Sequence, residues 1–208
     1  MCGRYVGESV PKGRLCDDCL QHLPRTEQAV IRQNSTEEVV GVHAASFLFF
    51  EKDHPLQRVI HSLKYADQPQ IGYELGRQAA LEMLDTEFFE GIDVIVPMPL
   101  HPIRLRERGY NQAEYIARGL SAVTGIPVDT THVTRVRNTP KQALQTGDER
   151  RTNVKDAFAV NHPEQLYHKH ILLVDDLITT GETMRSCLKA MKKFRGATFS
   201  VFALCKAR

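Results

Sequence analysis

The sequence predicts an α/β fold, a mainly parallel sheet flanked by helices, from three observations. Short apolar runs bounded by Gly, Pro or polar residues read as strands at 41–50, 93–96, 128–136, 157–160, 171–174 and 197–205. Apolar residues at helical spacing occupy 55–65, 71–84, 109–123 and 181–194, and strands that alternate with helices argue for a mainly parallel sheet. A length of 208 residues suffices for one α/β core with a small appendage and is short for two ordinary domains.

In chain order, residues 1–24 are rich in Gly, Pro, Cys and charge, lack sustained periodicity, and read as a small knuckle. A boundary near Pro24 leaves 25–208 as the main domain. The run Val42-His43-Ala44-Ala45-Ser46-Phe47-Leu48-Phe49-Phe50 reads as a strand, and Leu56, Val59, Ile60 and Leu63 sit at helical spacing in the helix after it. A second helix covers 71–84.

Asp93-Val94-Ile95-Val96 is a short strand closed by Pro97-Met98-Pro99, and with the helix at 109–123 it makes a β-loop-α unit. The polar, basic segment 137–155 separates the next two strands, lacks an apolar stripe, and reads as a mobile loop or hairpin. Ile171-Leu172-Leu173-Val174 carries the signal of a buried strand. A helix at 181–194 and a last strand complete the pattern.

A hydrophobic fraction of 42% with 25% charged residues is that of a soluble globular protein, and no apolar run approaches the roughly 20 residues needed to span a bilayer. The start, Met1-Cys2-Gly3-Arg4-Tyr5-Val6-Gly7-Glu8, has no basic segment leading into an apolar one, so a cytoplasmic location is expected. A net charge of +2 is too small to imply nucleic-acid binding by bulk electrostatics. Local clusters are more telling: Arg104, Arg106, Arg108 and Arg118, then Arg135, Arg137, Lys141, Arg150, Arg151 and Lys155. Both suggest anionic ligands; the plainer alternative is a pair of solvated basic surfaces.

The strongest chemistry follows the strand at 171–174: Asp175 and Asp176, then Leu177-Ile178-Thr179-Thr180-Gly181-Glu182-Thr183 entering a helix. Ligands of open α/β sheets bind at the carboxyl ends of strands. Thr179, Thr180, Gly181 and Thr183 let backbone N–H groups approach an anion, and the helix start adds free N–H groups and a positive dipole end. That is a monophosphate cradle. Asp175 and Asp176, one step before it, can accept hydrogen bonds from the vicinal hydroxyls of a ribose whose phosphate sits there. The alternative is two acids that end a strand and a Thr that caps a helix. The segment lacks the lysine of Walker A and the glycine spacing of a dinucleotide loop.

The string from Val174 to Thr183 resembles the phosphoribosyl pyrophosphate motif of the type I phosphoribosyltransferases. Val96-Pro97-Met98-Pro99-Leu100-His101 and Arg104-Leu105-Arg106-Glu107-Arg108-Gly109-Tyr110-Asn111-Gln112-Ala113 resemble the ComF family within that superfamily. So do Arg135, Arg137, Thr139, Gln142, Leu144, Arg151, Asn153, Ala157 and Phe158; the likeness runs from about Leu63-Lys64-Tyr65 to the C-terminus. The resemblance implies a type I phosphoribosyltransferase-like domain that binds phosphoribosyl pyrophosphate, with Asp175 and Asp176 as its catalytic acids. It places pyrophosphate on the loop 97–108, where Arg104, Arg106 and Arg108 offer paired hydrogen bonds and a permanent charge. It makes 137–155 a loop that closes over substrate, with Gln142, Arg151 and Asn153 at family positions. Magnesium is expected with the pyrophosphate, held by ligand oxygens and water more than by protein.

ComF-like proteins commonly begin with a zinc knuckle of two Cys-X-X-Cys pairs. Here Cys16 and Cys19 form one pair and Cys2 stands alone, so the fourth zinc ligand would come from upstream of Met1 or from His22, and otherwise the segment is a tail with free thiols. Cys187 and Cys205 fall inside a helix and a strand and read as core residues. The expected function is a glycosyltransferase with an unidentified acceptor. The family's association with DNA uptake gives a second expectation, a protein that binds single-stranded DNA and DNA-uptake partners without turnover. A nucleotide-sensing regulator on the same fold is a third.

Overall fold

The computed structural model describes residues 15–26, 30–31, 43–51, 54–138 and 157–207. Its strands are β1 (Val30–Ile31), β2 (His43–Phe50), β3 (Val94–Pro97), β4 (Val133–Arg135), β5 (Phe158–Val160), β6 (His170–Ile178) and β7 (Thr198–Ala207). Its helices are α1 (Asp17–Gln21), α2 (Leu56–Tyr65), α3 (Gln70–Met83), α4 (Pro102–Arg108), α5 (Gln112–Thr124) and α6 (Glu182–Met191). Five strands form one sheet in the order β1-β2-β7-β6-β3; β2, β7, β6 and β3 run parallel, and β1 is antiparallel at the edge.

The period-2 geometry of β6 builds both faces of the core. Leu172 and Val174 pack with Phe202 and Leu204 of β7 against α2, α3 and α5. Ile171 and Leu173 point the other way, onto Met184, Cys187, Leu188 and Met191 of α6. A strand covered on both faces must be apolar at every position, which is why 171–174 is a continuous apolar run. On α2, Leu56, Val59, Ile60 and Leu63 form one buried stripe. Emptying such a position to Ala costs about 2–5 kcal/mol.

Helices α3 and α5 meet backbone to backbone. A Cβ on Gly76 would strike the Ile116 carbonyl, and one on Gly119 the Tyr73 carbonyl. Leu23 is buried in the same core, and Phe49 N–H donates to the Pro24 carbonyl at 2.7 Å. The Arg25 guanidinium holds both carboxylate oxygens of Glu82, at 2.6 and 2.7 Å, so the segment after α1 docks on β2 and α3. Among the described residues no helix is long and apolar enough to cross a membrane.

Three elements differ from the sequence reading. The expected strand at 128–136 is broken: Val128 bridges to Ile95, the chain then turns, and β4 pairs antiparallel with β5 in a separate ribbon. The cause is Asp129, whose Oδ1 accepts from Thr131 N–H at 2.7 Å and offers the backbone a turn in place of a ladder. The expected loop 97–108 contains α4, started by Pro102 with His101 as its cap and ended by Gly109 at φ 82°. The strand expected at 171–174 continues as β6 through Ile178, so Asp175 and Asp176 lie inside it.

Candidate ribose-phosphate site

Asp175 and Asp176 inherit the alternation of β6. Asp175 continues the face of Ile171 and Leu173; Asp176, 5% exposed, continues that of Leu172 and Val174. Lys64 acts on both acids and pairs directly with Asp176. The Lys64 ammonium, delivered from the last turn of α2, lies 2.7 Å from Asp176 Oδ2, and both side chains are largely buried. Arg135 of β4, half-buried and stacked over the Phe158 ring at 5.5 Å, stands in the field of Asp175. The two acids are also tied to each other, since Asp176 N–H donates to Asp175 Oδ1 at 2.8 Å.

This arrangement splits their acidities. Burial first, and then the neighbouring Asp176 charge, push Asp175 well above the ordinary carboxylate range. Burial also opposes ionisation of Asp176, but the charge and hydrogen bond of Lys64 outweigh it and hold that carboxyl below its ordinary value. A charged Asp176 next to a protonatable Asp175 is the lowest-cost way to keep two adjacent acids in one apolar setting. Cys187 and Cys205 lie under them, fully buried, and burial raises both thiols far out of the reactive range.

The carboxyl end of β3 adjoins this pair. Met98 N–H donates to the Val174 carbonyl at 2.7 Å, and Asn111 donates from Nδ2 to the Met98 carbonyl at 3.0 Å while its Oδ1 caps α5 through Ala113 N–H. Tyr110 Oη donates to the Leu63 carbonyl at 2.7 Å and joins this turn to the end of α2. Between them opens a cleft of about 310 Å³ lined by Lys64, Tyr65, Asp67, Arg104, Glu107, Arg108 and Tyr110. Asp67 has φ 50°, a left-handed conformation uncommon for a residue with a Cβ.

Of the arginines expected on this side, the structure brings Arg104 and Arg108 to the cleft. Arg104 pairs with Glu107 at 3.0 Å; Arg108 donates to Gln112 Oε1 and lies over the Tyr65 ring at 5.4 Å. Arg106 is exposed and does not line the cleft. On a helix, positions 104, 107 and 108 share a face and 106 does not, so the difference follows from α4 replacing the expected loop.

On the other side of the acids, Thr179 and Thr180 are exposed, Gly181 adopts φ 77°, and α6 begins at Glu182 with no side chain capping its first turn. Thr183 lies in that turn. Arg185 folds back over the loop, donating to the Thr180 carbonyl at 2.9 Å, and Nη1 sits 3.2 Å from where a Cβ on Gly181 would be.

Gln142, Arg151 and Asn153 fall outside the described residues, as does Cys2. Cys16 precedes α1 without a side-chain hydrogen bond to its first turn, Cys19 is buried, and the His22 ring is engaged by the Asp18 carbonyl at 2.7 Å. Among the described residues no group of three His, Cys, Asp or Glu could hold a metal ion. Lys64, Asn111, Tyr110 and Arg135 belong to the site region without a role read from sequence. Their signals were membership in strings that resemble a family and, for Arg135, a place in the basic stretch; what they do depends on contacts across the fold.

The family described as phosphoribosyl transferase domain matches residues 64–208. The DNA utilization protein YhgH of Escherichia coli (strain K12) is 33% identical over 155 residues, covering 73% of this chain and 67% of that protein. Competence protein F of Haemophilus influenzae is 30% identical over 211 residues, covering 99% of this chain and 84% of that protein. Among solved structures, adenine phosphoribosyltransferase from Saccharomyces cerevisiae aligns at TM-score 0.43 and 14% identity, over 66% of this chain and 69% of that one. The matched span opens at Lys64 and takes in the cleft, both acids and the Thr-Thr-Gly loop, and the Haemophilus relative aligns over nearly the whole chain: this protein belongs to the ComF family of the phosphoribosyltransferase superfamily.

Proposed function

We propose that the carboxyl ends of β3 and β6 bind phosphoribosyl pyrophosphate with magnesium, and that the protein transfers the phosphoribosyl group to an acceptor. The observation that carries this reading is the order of chemistry along one edge of the sheet. An arginine-lined cleft, a buried acid pair and an uncapped helix start preceded by Thr-Thr-Gly follow one another, matching pyrophosphate, ribose and 5′-phosphate.

In this reading the 5′-phosphate sits on the backbone N–H groups from Thr179 to Thr183, where Gly181 allows close approach and α6 adds its dipole. The acid pair accepts hydrogen bonds from the ribose hydroxyls. Arg104 and Arg108 neutralise the pyrophosphate as its bond to the anomeric carbon breaks and that carbon becomes cation-like. The donor set fits magnesium in its usual oxygen-rich, hydrated state: carboxylates stand near the pyrophosphate position, and among the described residues no group of His, Cys, Asp or Glu forms a cage for it. When bound, the ion would spread the charge developing on the leaving pyrophosphate. Asp175 and Asp176 would orient it indirectly, through the ribose hydroxyls they hold.

A second reading, single-stranded DNA binding, is favoured by Arg106, which is exposed outside the cleft, and by the names of the relatives, which refer to competence and DNA utilization. Salt separates the two: binding through several phosphate contacts weakens steeply with salt, whereas a chelated pyrophosphate site weakens less.

The test is calorimetric titration of phosphoribosyl pyrophosphate, with and without magnesium, into the native chain and into an Asp175→Asn, Asp176→Asn variant. Magnesium-dependent binding that the variant loses supports the ribose-phosphate reading. No binding by the folded native chain transfers the weight to DNA.

A further inference from the structure

The side of α4 turned away from the cleft has no task in the ribose-phosphate reading. Arg104, Glu107 and Arg108 take the cleft side of this helix, and the remaining arc carries Leu105, Pro102, Arg106 and Ile103 in that order around the axis. All four are exposed, Ile103 by 39% and Leu105 by 42%. Aliphatic side chains gathered on one exposed arc mark a contact surface, whereas a single exposed leucine does not.

A second exposed face has the opposite charge. Leu81 and Leu84, 45% and 50% exposed, lie one turn apart where α3 passes into the short 3-10 turn Leu84–Thr86, and Asp85 falls on the same side. Every charged residue between 78 and 93 is acidic. Glu82 is held by Arg25 and Asp93 by Lys169, while Asp85, Glu87 and Glu90 are exposed and enter no ion pair among the described residues. The acidic connection enters the amino end of β3 and α4 follows its carboxyl end, and the exposure of both faces shows that they do not cover each other within one copy.

We propose that the outward face of α4 docks on the acidic end of α3 in a second copy of this chain. Charge complementarity selects this occupant. Like faces brought together would set Arg106 against its own counterpart, or Asp85 and Glu87 against theirs. Unlike faces place the arginine among carboxylates around an apolar centre of Leu81, Leu84, Ile103 and Leu105. Single-stranded nucleic acid fits this face less well, because it is held by aromatic platforms and this arc is aliphatic. The neighbouring aromatic, Tyr65, already carries Arg108 over its ring. Two aliphatic side chains from each partner make a small, transient interface, with association in the micromolar range and not the nanomolar. The contact lies outside the cleft and does not depend on the ribose-phosphate reading.

The test is sedimentation velocity of the full chain over a dilution series, at low and high salt. It compares the native protein, Arg106→Glu, the pair Asp85→Lys with Glu87→Lys, and a chain carrying all three changes. The native protein is expected to associate as concentration rises and to dissociate with salt. Reversal of either face should weaken association roughly tenfold or more, and reversal of both should recover it, because the attraction is re-formed with its signs exchanged. A native chain still monomeric at about 1 mM, association unaltered by salt, or a combined variant no better than its parents overturns the proposal. A monomeric native chain whose binding to oligothymidylate depends on Arg106 also overturns it and assigns the face to nucleic acid.

Should a reversed variant fail to fold, Arg106→Lys keeps the charge and the helix propensity. A mixture of isotopically heavy and ordinary chains of this variant is treated with a carbodiimide and digested. Mass spectrometry is expected to find amides between the new ammonium of one chain and a carboxylate at 82–90 of the other. Links within single chains only, or none to that segment, overturn the proposal.

Discussion

Asp175 and Asp176 are adjacent in sequence and lie on opposite faces of β6, one turned toward Arg135 and the other ion-paired with Lys64 at 2.7 Å. Two chemically identical side chains thereby acquire opposite displacements of acidity. The consequences can be measured without any ligand.

Asp176, held below its unfolded value of about 3.9, contributes stability that is present above that value and lost as pH falls through the lower folded one. Asp175, held above its unfolded value, contributes stability that is present at low pH and lost as pH rises through the folded one. Asp176→Asn strands a buried ammonium and should cost about 3–5 kcal/mol near neutral pH. Asp175→Asn mimics the protonated acid and should leave stability equal or higher on the alkaline side, with a flatter decline. Urea unfolding at several pH values checks both signs.

Arg106 and Arg108 are two residues apart and provide a matched pair. Arg108→Ala should weaken binding of phosphoribosyl pyrophosphate roughly tenfold to a hundredfold, the worth of a charge-assisted hydrogen bond. Arg106→Ala, on the far side of α4, should change it less than about threefold, well under the worth of one such bond. Equal losses in the two variants would contradict the placement of the cleft.

Gly181 combines φ 77° with a guanidinium 3.2 Å from its missing Cβ. Gly181→Ala should cost about 1–2 kcal/mol from the left-handed backbone alone. It should also reduce phosphate affinity beyond that stability loss, because the loop can no longer present its N–H groups. Binding of ribose 5-phosphate, measured on folded protein, separates the two effects.

Gly119 sits in the interior of α5, where Ala would favour an isolated helix by about 1 kcal/mol. Its Cβ would collide with the Tyr73 carbonyl of α3, so Gly119→Ala should instead destabilise the protein by about 1–3 kcal/mol. Thermal denaturation gives the sign directly.

Much of the architecture was legible because it rests on short-range rules. The all-apolar 171–174 announces a strand covered on both faces, and Leu56, Val59, Ile60 and Leu63 announce a helix with one buried stripe. The acids and the Thr-Thr-Gly loop were legible for the same reason, since strand, turn and helix start are contiguous. The helix α4 was missed although its signals are present: Pro102 at the start, Gly109 at the end, and Arg104 spaced from Glu107 and Arg108 as on one face. Seven residues between two helix-breaking signals lack the apolar stripe that makes a helix visible in sequence.

By itself, then, the sequence determined the alternation of strands and helices and the order of the acid pair, the Thr-Thr-Gly loop and the helix that follows them. Only the tertiary structure decided which arginines reach the cleft and which cation meets which acid. The partners of β6 come from distant stretches, Lys64 from α2 and Arg135 from β4, and no local pattern records that they converge. The physical reason is that propensity and periodicity act over a few neighbouring residues, whereas the charge state of a buried carboxyl is set by whatever the fold places within a few ångströms of it.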